Sequence, residues 1–358
     1  MSGRQIVMVV SGFPRRSETF ALGELLALEE RRALFAVFAT KPGDGESLQP
    51  GCERLMKHVR FLPEGSPAEQ AAFIVKSCAG QFVGGIHGYF AHTPAEVAAH
   101  AAARLGVPYG FSCHARDARK VSPSELAERA RRAACVVACN TDVACEIQQS
   151  GAPVHLLPHG VDLQRFRPQP VPHAGTLRLL AVGRLVEKKG FHILLDAAAR
   201  LKFPFRLRIV GCGPEEERLS NIIKAKGLVD RVTLDGAMTH AELPCAYASA
   251  HIVVVPSIQD KSGDRDGLPN VVLEAMASGR AVIASRISAI GSAVTHGETG
   301  MLVPPVDPVA LADALEKLNL HPALREHFSR NGRARVERDY EVGRCTERFH
   351  RLLENVYA

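Results

Sequence analysis

The chain has 358 residues, of which 46% are hydrophobic and 23% charged, an ordinary globular composition with enough length for two domains of about 150 to 180 residues. The net charge is +6, but the basic residues are spread along the chain and accompanied by 5 Tyr, 15 Phe and no Trp, which argues against a nucleic-acid-binding protein. No stretch approaches the roughly 20 apolar residues of a membrane-spanning helix, and the first residues lead into a strand rather than a signal peptide, so we expect a cytoplasmic protein.

Short apolar runs alternate with helical patterns through the first half of the chain. The first run, residues 6–10, ends in Ser-Gly-Phe-Pro and precedes the helical pattern ETFALGELLALEE, which is the opening of a βα unit. Further strands are predicted in this half at residues 34–40, 85–90, 109–113 and 135–139. Strands that alternate with helices indicate a parallel sheet covered on both faces.

The alternation breaks at residues 158–162 and in the proline-rich stretch RFRPQPVPHAGT that follows. Because proline is tolerated poorly in helices and central strands, we place the interdomain linker there. The alternation then resumes, with strands predicted at residues 177–182, 205–210, 232–234, 251–256 and 281–285. We therefore predict two doubly wound α/β domains, residues 1–167 and 168–339, and a final helix at residues 340–358.

Nine cysteines occur without a C-x-x-C pair, and several lie in apolar runs such as residues 133–139, where a thiol packs like a small core residue. We therefore expect the cysteines to be reduced and structural. We recognise no metal-ligand motif in the sequence and predict that the protein holds no catalytic metal and needs no cofactor.

Three loops of the second half suit an anion, because ligands of open α/β sheets bind beyond the carboxyl ends of the strands, where helices begin. The first loop, GRLVEKKG, brings Arg184 and Lys189 to a helix start, and a guanidinium with an ammonium suits a diphosphate. Basic residues of this kind are also common on surfaces that bind nothing. The second loop, VGCGP, contains Gly211 and Gly213, which either let a nucleotide approach the backbone or serve only the turn.

The third loop leads into the helical pattern NVVLEAMASG, which is opened by Gly267 and Pro269. Glu274 is a carboxylate within this apolar helix, where a buried charge needs hydrogen-bond donors, and ribose hydroxyls would supply them. Asp266 precedes the helix and can face a sugar or its phosphate-linked hydroxyls, while the amides of residues 268–270 meet a phosphate.

These loops resemble those of the retaining family 4 glycosyltransferases, enzymes with the GT-B fold of two Rossmann-like domains that face a central cleft. The matching segments are GRLVEKKG, VGCGP and DGLPNVVLEAMASG in the second half and FPRRSETF, FSCHARD and LPHGVD in the first. They extend over nearly the whole chain. The resemblance implies a hexosyltransferase-type enzyme that takes its sugar from a nucleoside diphosphate sugar.

The resemblance also implies roles for single residues by their position in the motifs. The catalytic residues would be His114, Asp266 and Glu274. His114 would reach across the cleft to the donor sugar, with Asp117 orienting the local structure, although a single histidine is more often a core residue. The residues implied to bind the donor are Gly12, Arg184, Lys189, Gly211, Gly213, Met238, Gly267, Leu268, Pro269, Asn270 and Glu274.

Two positions depart from the pattern of the family. Asp266 stands where the family usually has glutamate, so that Asp264 or Asp260 could share or replace its role. His159, in the segment LPHGVD, stands where the family commonly has asparagine. We interpret both residues as variants that are compatible with activity.

The opening segment resembles members that build bacterial exopolysaccharide or lipopolysaccharide, which implies a glycan or lipid-linked acceptor, and UDP is the expected nucleotide. A cluster of basic residues lies beyond His114, on and before a predicted helix. It is either a solvated helix face or a docking surface for an anionic membrane, which would make the protein peripheral on the inner face of the membrane. The cluster consists of Arg116, Arg119, Lys120, Arg129, Arg131 and Arg132.

Two other functions remain open for the same motifs. A non-catalytic nucleotide-sugar-binding subunit or sensor would keep the anion-binding loops without turnover, and a GT-B-type epimerase would keep the nucleotide site with another reaction. The combination of His114 with Asp266 and Glu274 favours transfer.

Overall fold

The structure, a computed structural model, describes residues 5–15, 18–43, 51–114, 118, 120–170 and 175–357. The chain forms two compact units, Met1–Gly160 with Val342–Ala358, and Val161–Glu341. The first unit ends at Gly160 rather than at the expected residue 167 because Val161 and Phe166 are buried in the core of the second unit.

The first unit is built on a sheet of seven parallel strands. Their order in the sheet is β3-β2-β1-β4-β5-β6-β7. The central strands are buried along most of their length, as expected of a parallel sheet covered on both faces. The strands are β1 (Gln5–Val10), β2 (Leu34–Ala39), β3 (Val59–Phe61), β4 (Val83–Gly88), β5 (Tyr109–Cys113), β6 (Cys135–Ala138) and β7 (Val154–Leu156).

The helices of this unit cover both faces of the sheet. Two of them, α3 and α5, begin with a serine followed by proline, and the serine oxygen accepts a hydrogen bond from the backbone of a glutamate three residues later, which is a capping box. The helices before the crossover are α1 (Thr19–Glu30), α2 (Cys52–Met56), α3 (Pro67–Ser77), α4 (Thr93–Leu105), α5 (Pro123–Arg132) and α6 (Thr141–Gln148).

The second unit has a sheet of six parallel strands in the order β10-β9-β8-β11-β12-β13. The strands are β8 (Leu177–Val182), β9 (Phe205–Val210), β10 (Val232–Leu234), β11 (Ile252–Val255), β12 (Ala281–Ser285) and β13 (Met301–Val303). The helices are α7 (Phe191–Ala198), α8 (Glu216–Ala225), α9 (Leu243–Ala248), α10 (Asn270–Ala277), α11 (Ile290–Ala293), α12 (Pro308–Leu320) and α13 (Pro322–Asp339).

The C-terminal helix α14 (Val342–Tyr357) packs in the first unit. Its residues Phe349, Leu353 and Tyr357 are buried, and their spacing of four places them on one helix face. The Tyr357 hydroxyl lies 3.0 Å from Nδ1 of His87 on β4. A Cβ at Gly85 would lie 2.3 Å from the Tyr357 ring, so the absence of a side chain on β4 makes room for the tyrosine.

No helix among the described residues has both the length and the apolar character needed to cross a membrane.

Candidate active site

The first two predicted anion loops contact each other at the carboxyl ends of β8 and β9. Leu185 N–H donates to the Cys212 carbonyl over 2.9 Å. Gly211 has a φ of +146°, and a Cβ there would lie 1.9 Å from the Gly183 carbonyl oxygen. A Cβ at Gly213 would lie 2.4 Å from the Leu185 carbonyl oxygen. Both glycines therefore serve the packing of one loop on the other.

Two lysines of the first loop meet the acidic residues of the third. Lys189 Nζ lies 2.7 Å from Oδ2 of Asp266, and Lys188 Nζ lies 2.9 Å from Oδ2 of Asp264 and 3.5 Å from Oδ1 of Asp266. The Ser257 hydroxyl donates to Oδ2 of Asp266 over 3.0 Å. Burial alone would raise the pKa of Asp266, but the two ammonium groups outweigh it and lower the pKa. The carboxylate is therefore held ionised.

The two acids that could share or replace the role of Asp266 have different partners. Asp264 shares Lys188 with Asp266, whereas Asp260 accepts hydrogen bonds from the backbone N–H groups of Ser262 (2.9 Å) and Asp264 (3.0 Å) within its own loop. Sequence reasoning also missed that Asp264 and Asp266 have a D-x-D spacing typical of metal ligands. Lysine ammonium groups pair with both carboxylates, so the charge that a cation would neutralise is already balanced.

Glu274 on α10 is 7% exposed, as expected for a carboxylate on an apolar helix. The protein itself supplies a hydrogen-bond donor to this carboxylate, because the Tyr247 hydroxyl donates to Oε2 over 2.7 Å. Nε2 of His240 faces Oε1 at 3.5 Å, and Arg165 donates to Nδ1 of the same ring. Since a guanidinium only donates, Nδ1 of His240 accepts from Arg165, and Nε2 is the ring nitrogen that faces Glu274. Sequence reasoning missed all three partners.

The other residues implied to bind the donor differ in exposure and in their place in the fold. Arg184 is exposed to solvent. Met238 and Leu268 are half-buried and pack against the core cluster that contains Tyr247. Gly267 lies in the loop before α10, Pro269 is the residue before the first turn of α10, and Asn270 begins the helix.

In the first unit, His114 directly follows β5 and lies among aromatic rings. The ring centroids of Phe90 and Phe20 are 5.1 and 5.2 Å from that of His114, and those of His159 and Tyr89 are 5.0 and 5.5 Å away. The ring of His114 is therefore held by packing from several sides, which suits a residue with a fixed orientation.

Gly12, in the loop after β1, is buried. A Cβ there would lie 3.1 Å from the Pro42 carbonyl oxygen and 3.0 Å from Nε of Arg15, so a larger residue would displace its neighbours. Asp117, which the resemblance pairs with His114, lies outside the described residues.

An acidic side chain, Glu24, contacts two members of this aromatic group. Glu24 on α1 accepts a hydrogen bond from the Tyr89 hydroxyl on one oxygen, and its other oxygen lies 3.0 Å from Nδ1 of His159. Burial lowers the pKa of His159, but the negative charge of Glu24 together with Cys139 outweighs burial and raises the pKa to about 10. Sequence reasoning identified neither Glu24 nor this role of His159.

His114, Cys139 and His159 bring three potential metal-ligand atoms within 4.8 Å of one another. The two imidazole rings, however, are stacked with planes 13° apart. Imidazole binds a metal through a lone pair in the plane of its ring, and stacked parallel rings direct these lone pairs side by side rather than toward one point. The arrangement does not fit a shared ion, and the absence of a catalytic metal stays a prediction.

The basic cluster of the first unit is partly committed to the fold. Arg129 on α5 donates to the Ala91 carbonyl over 2.8 Å and pairs with Glu96 over 3.1 Å. Arg131 and Arg132 at the end of α5 are exposed. Arg116 and Arg119 lie outside the described residues. The exposed charge of α5 is therefore smaller than the sequence suggested.

Two family models match successive parts of the chain. Residues 27–165 match the model described as Glycosyltransferase Family 4, and residues 164–335 match Glycosyl transferases group 1. A protein of Escherichia coli (strain K12) named as a colanic acid biosynthesis glycosyltransferase is 28% identical over 96% of this chain and 97% of its own length. The amylovoran biosynthesis glycosyltransferase AmsK of Erwinia amylovora is 33% identical over 50% of this chain and 45% of its own length.

Solved structures of similar fold cover nearly all of the chain. Anabaena HepE, solved in complex with UDP, superposes with a TM-score of 0.84 over 98% of this chain and 100% of its own, at 19% identity. Sucrose-phosphate synthase of Thermosynechococcus elongatus superposes with a TM-score of 0.79 over 99% of both chains, at 23% identity. With its two parallel-sheet units, the chain has the GT-B fold, and it belongs to the family 4, or group 1, glycosyltransferases.

Proposed function

We propose that this glycosyltransferase takes a sugar from a UDP-sugar and transfers it, with retention of the anomeric configuration, to a hydroxyl group of a glycan or lipid-linked acceptor in bacterial polysaccharide biosynthesis. The buried Glu274 carboxylate on α10, which accepts a hydrogen bond from the Tyr247 hydroxyl of α9, is the observation on which the donor assignment rests. A paired acceptor of this kind suits ribose hydroxyls. The relatives named for colanic acid and amylovoran biosynthesis support the acceptor class, and the fold neighbour solved with UDP supports the base.

The chemistry requires stabilisation of the negative charge that develops on the leaving diphosphate. Lys189, the exposed Arg184 and the backbone N–H groups in the first turn of α10 are the groups that would supply it. Since Lys189 is paired with Asp266, the diphosphate competes with Asp266 for the ammonium group. A hydroxyl of the donor sugar would then donate to the released carboxylate, which links diphosphate binding to sugar binding.

The proposed retention rests on the family resemblance, and the way in which the two acids are held bears on the route by which it is reached. With Lys189 on the diphosphate, Asp266 still has Lys188 and the Ser257 hydroxyl, and Glu274 has the Tyr247 hydroxyl. Carboxylates engaged in this way are weak nucleophiles. We therefore propose front-face attack, in which the leaving phosphate accepts the proton of the acceptor hydroxyl, rather than a covalent intermediate. Proton NMR of the first-formed product is expected to show the anomer of the donor. A glycosyl adduct trapped on either carboxylate would rule this mechanism out.

A thermal-shift panel of nucleoside diphosphate sugars tests the donor assignment. One donor at a hundredfold excess over its dissociation constant should stabilise the wild-type protein by about 2.7 kcal/mol, and Glu274→Ala should lose this shift. Glu326→Gln is the matched control, because Glu326 is an exposed carboxylate of the same unit that pairs with Arg330. If no nucleotide sugar stabilises the wild-type protein, or if Glu274→Ala responds like the control, the donor assignment fails.

We also propose that the exposed end of α5 attracts the protein to anionic lipid, as a cytoplasmic enzyme peripheral to the inner membrane. Charge reversal of Arg131 and Arg132 should weaken sedimentation with phosphatidylglycerol vesicles and leave phosphatidylcholine vesicles unaffected. Arg129 is left unchanged because it pairs with Glu96. Charge reversal of the exposed pair Arg330 and Arg338 on α13 alters the net charge equally, and an equal effect of both double variants would contradict a specific surface.

A further inference from the structure

Cys139 differs from the structural cysteines that the sequence predicts. It is half-buried rather than enclosed, and it lies between the end of β6 and Asn140, the residue that caps α6. Nδ2 of Asn140 donates to Sγ of Cys139 over 3.2 Å. The sulfur therefore receives a hydrogen bond and lies just before a helix N-terminus.

A histidine and a carboxylate extend this arrangement. Sγ of Cys139 and a ring nitrogen of His159 lie within 4.8 Å. Nδ1 of His159 is 3.0 Å from Oε1 of Glu24, so the carboxylate engages that nitrogen. Nε2 is buried, and the described residues offer it no conventional hydrogen bond. A nucleophile, a base and a carboxylate that orients the base follow one another in the order found in activated thiols.

The charges around His159 support the same interpretation. Glu24 and Cys139 raise the pKa of His159 to about 10 against the effect of burial, so the ring is positively charged at neutral pH. The other groups that face the ring are Phe20, with centroids 4.2 Å apart, and His114, with centroids 5.0 Å apart. Glu24 is therefore a fixed negative charge beside the imidazolium, and the sulfur of Cys139 lies within 4.8 Å of one nitrogen of the ring.

We propose that Cys139 is a site of covalent modification by soft electrophiles, with His159 as its proton acceptor and Glu24 as the residue that orients His159. With iodoacetamide as the probe, the sulfur of Cys139 forms a bond to the methylene carbon as iodide leaves, and the proton of the thiol stays on His159. The exposed cysteines Cys145, Cys212 and Cys245 are reference thiols in the same molecule. The inference is independent of the sugar donor and of the acceptor.

The pH dependence of alkylation is the most direct readout. An ordinary thiol is about 0.3% ionised at pH 6, and its rate rises roughly tenfold per pH unit up to about pH 8.5. A thiolate of low pKa is intrinsically less nucleophilic, so the comparison is made at pH 6, where ionisation dominates. Peptide mass spectrometry after brief treatment of the full chain should show Cys139 modified at least about tenfold faster than the reference thiols, with less than about a threefold change between pH 6 and pH 8.

Two variants test the roles of the partners. Glu24→Gln and His159→Asn should each slow alkylation of Cys139 at pH 6 by about tenfold and restore the steep rise with pH, with unchanged rates at Cys145, Cys212 and Cys245. Glu30→Gln is the matched control on α1, because Glu30 is exposed and pairs with Arg54. Circular dichroism confirms that each variant is folded.

The inference is overturned if Cys139 in the wild-type protein reacts at pH 6 no faster than the reference thiols, or if its rate rises with pH as theirs does. It is also overturned if both variants react like Glu30→Gln. Should a variant fail to fold, the pH profile of the wild-type protein decides alone.

Discussion

The ammonium group of Lys189 lies 2.7 Å from Oδ2 of Asp266, 77 positions further along the chain. This ion pair joins the loop after β8 to the loop that opens α10, and Lys188 reinforces it from 3.5 Å. The lysine that the resemblance assigns to the diphosphate is thus oriented by the acid that it assigns to the sugar. Replacing either residue should therefore affect the binding of both parts of the donor.

Lys189→Ala should lower kcat/KM for the donor by about 10² to 10³, which corresponds to about 3 to 4 kcal/mol of lost charge stabilisation in the transition state. Steady-state kinetics with the donor identified by thermal shift provide the measurement. Lys226→Ala is the control, since Lys226 pairs over 2.7 Å with Asp196 in the same unit. Equal kinetics of the two variants would remove Lys189 from the reaction.

Tyr247→Phe removes only the hydroxyl that donates to Glu274 and keeps the ring in the core. The buried carboxylate then loses a donor, and we expect the free energy of unfolding to fall by about 1 to 3 kcal/mol. Urea denaturation measures this loss, and the KM for the donor should rise because Glu274 is no longer held for the ribose. A variant as stable as the wild-type protein would show that water replaces the hydroxyl.

Gly211→Ala should disrupt the contact between the first two loops, because its Cβ would lie 1.9 Å from the Gly183 carbonyl oxygen. Gly227→Ala is the matched control, since Gly227 also has a positive φ, +63°, and open space around the added atom. The control should cost only about 1 to 2 kcal/mol of backbone strain. Gly211→Ala should cost more and abolish the thermal shift with the donor, and similar losses in both variants would contradict the packing role.

His87 makes the stability of the first unit sensitive to acid. Burial lowers the pKa of His87 to about 3, with a smaller contribution from His114, whereas an exposed histidine has a pKa near 6.5. Between these values the unfolded chain binds a proton that the folded chain excludes, so the contribution to stability is present above pH 6.5 and lost as the pH falls toward 3.

The loss between pH 7 and pH 5 should be about 2 kcal/mol greater in the wild-type protein than in His87→Gln, as measured by urea unfolding at the two pH values. The other titrating groups are the same in the two proteins, so their contributions to the loss of stability cancel in the comparison. If the free energy of unfolding falls equally in the two proteins, the pKa of His87 in the folded protein is near its usual value.

Turnover should be undiminished in excess EDTA, because lysine ammonium groups already neutralise Asp264 and Asp266. The release of nucleoside diphosphate from the donor is measured with and without chelator. A loss of activity that Mg²⁺ or Mn²⁺ restores would show that a metal ion replaces the lysines when the donor binds.

The elements that were predicted well are those whose signals are local in sequence. Strands β5, β8, β9 and β10 have the predicted bounds, because each is a short apolar run ended by residues that break strands. The three-residue edge strands β3, β7 and β13 were missed, whereas β10, an edge strand of the same length, was predicted. Helix α13 was missed because only Phe328, Gly332 and Val336 are buried on an otherwise polar helix.

The site shows the same division between local and distant signals. Loops with Arg184, Lys189 and Glu274 stand out because each motif is continuous in the chain. The partners of these residues come from elsewhere, as Tyr247 lies 27 positions before Glu274 and Glu24 lies 135 positions before His159. No short sequence pattern predicts such pairs, because only the packing of the sheet and its helices brings the two residues together.

The central claim is transfer from a nucleoside diphosphate sugar, and release of the nucleotide measures it most directly. The wild-type protein, Lys189→Ala, Glu274→Ala and the control Glu326→Gln are incubated with UDP-, GDP-, ADP-, CDP- and TDP-sugars without acceptor, and the freed nucleoside diphosphate is quantified. Slow release from one donor by the wild-type and control proteins, and its loss in the other two variants, is the predicted result. Absence of release from every donor, or equal release by all four proteins, would contradict the account.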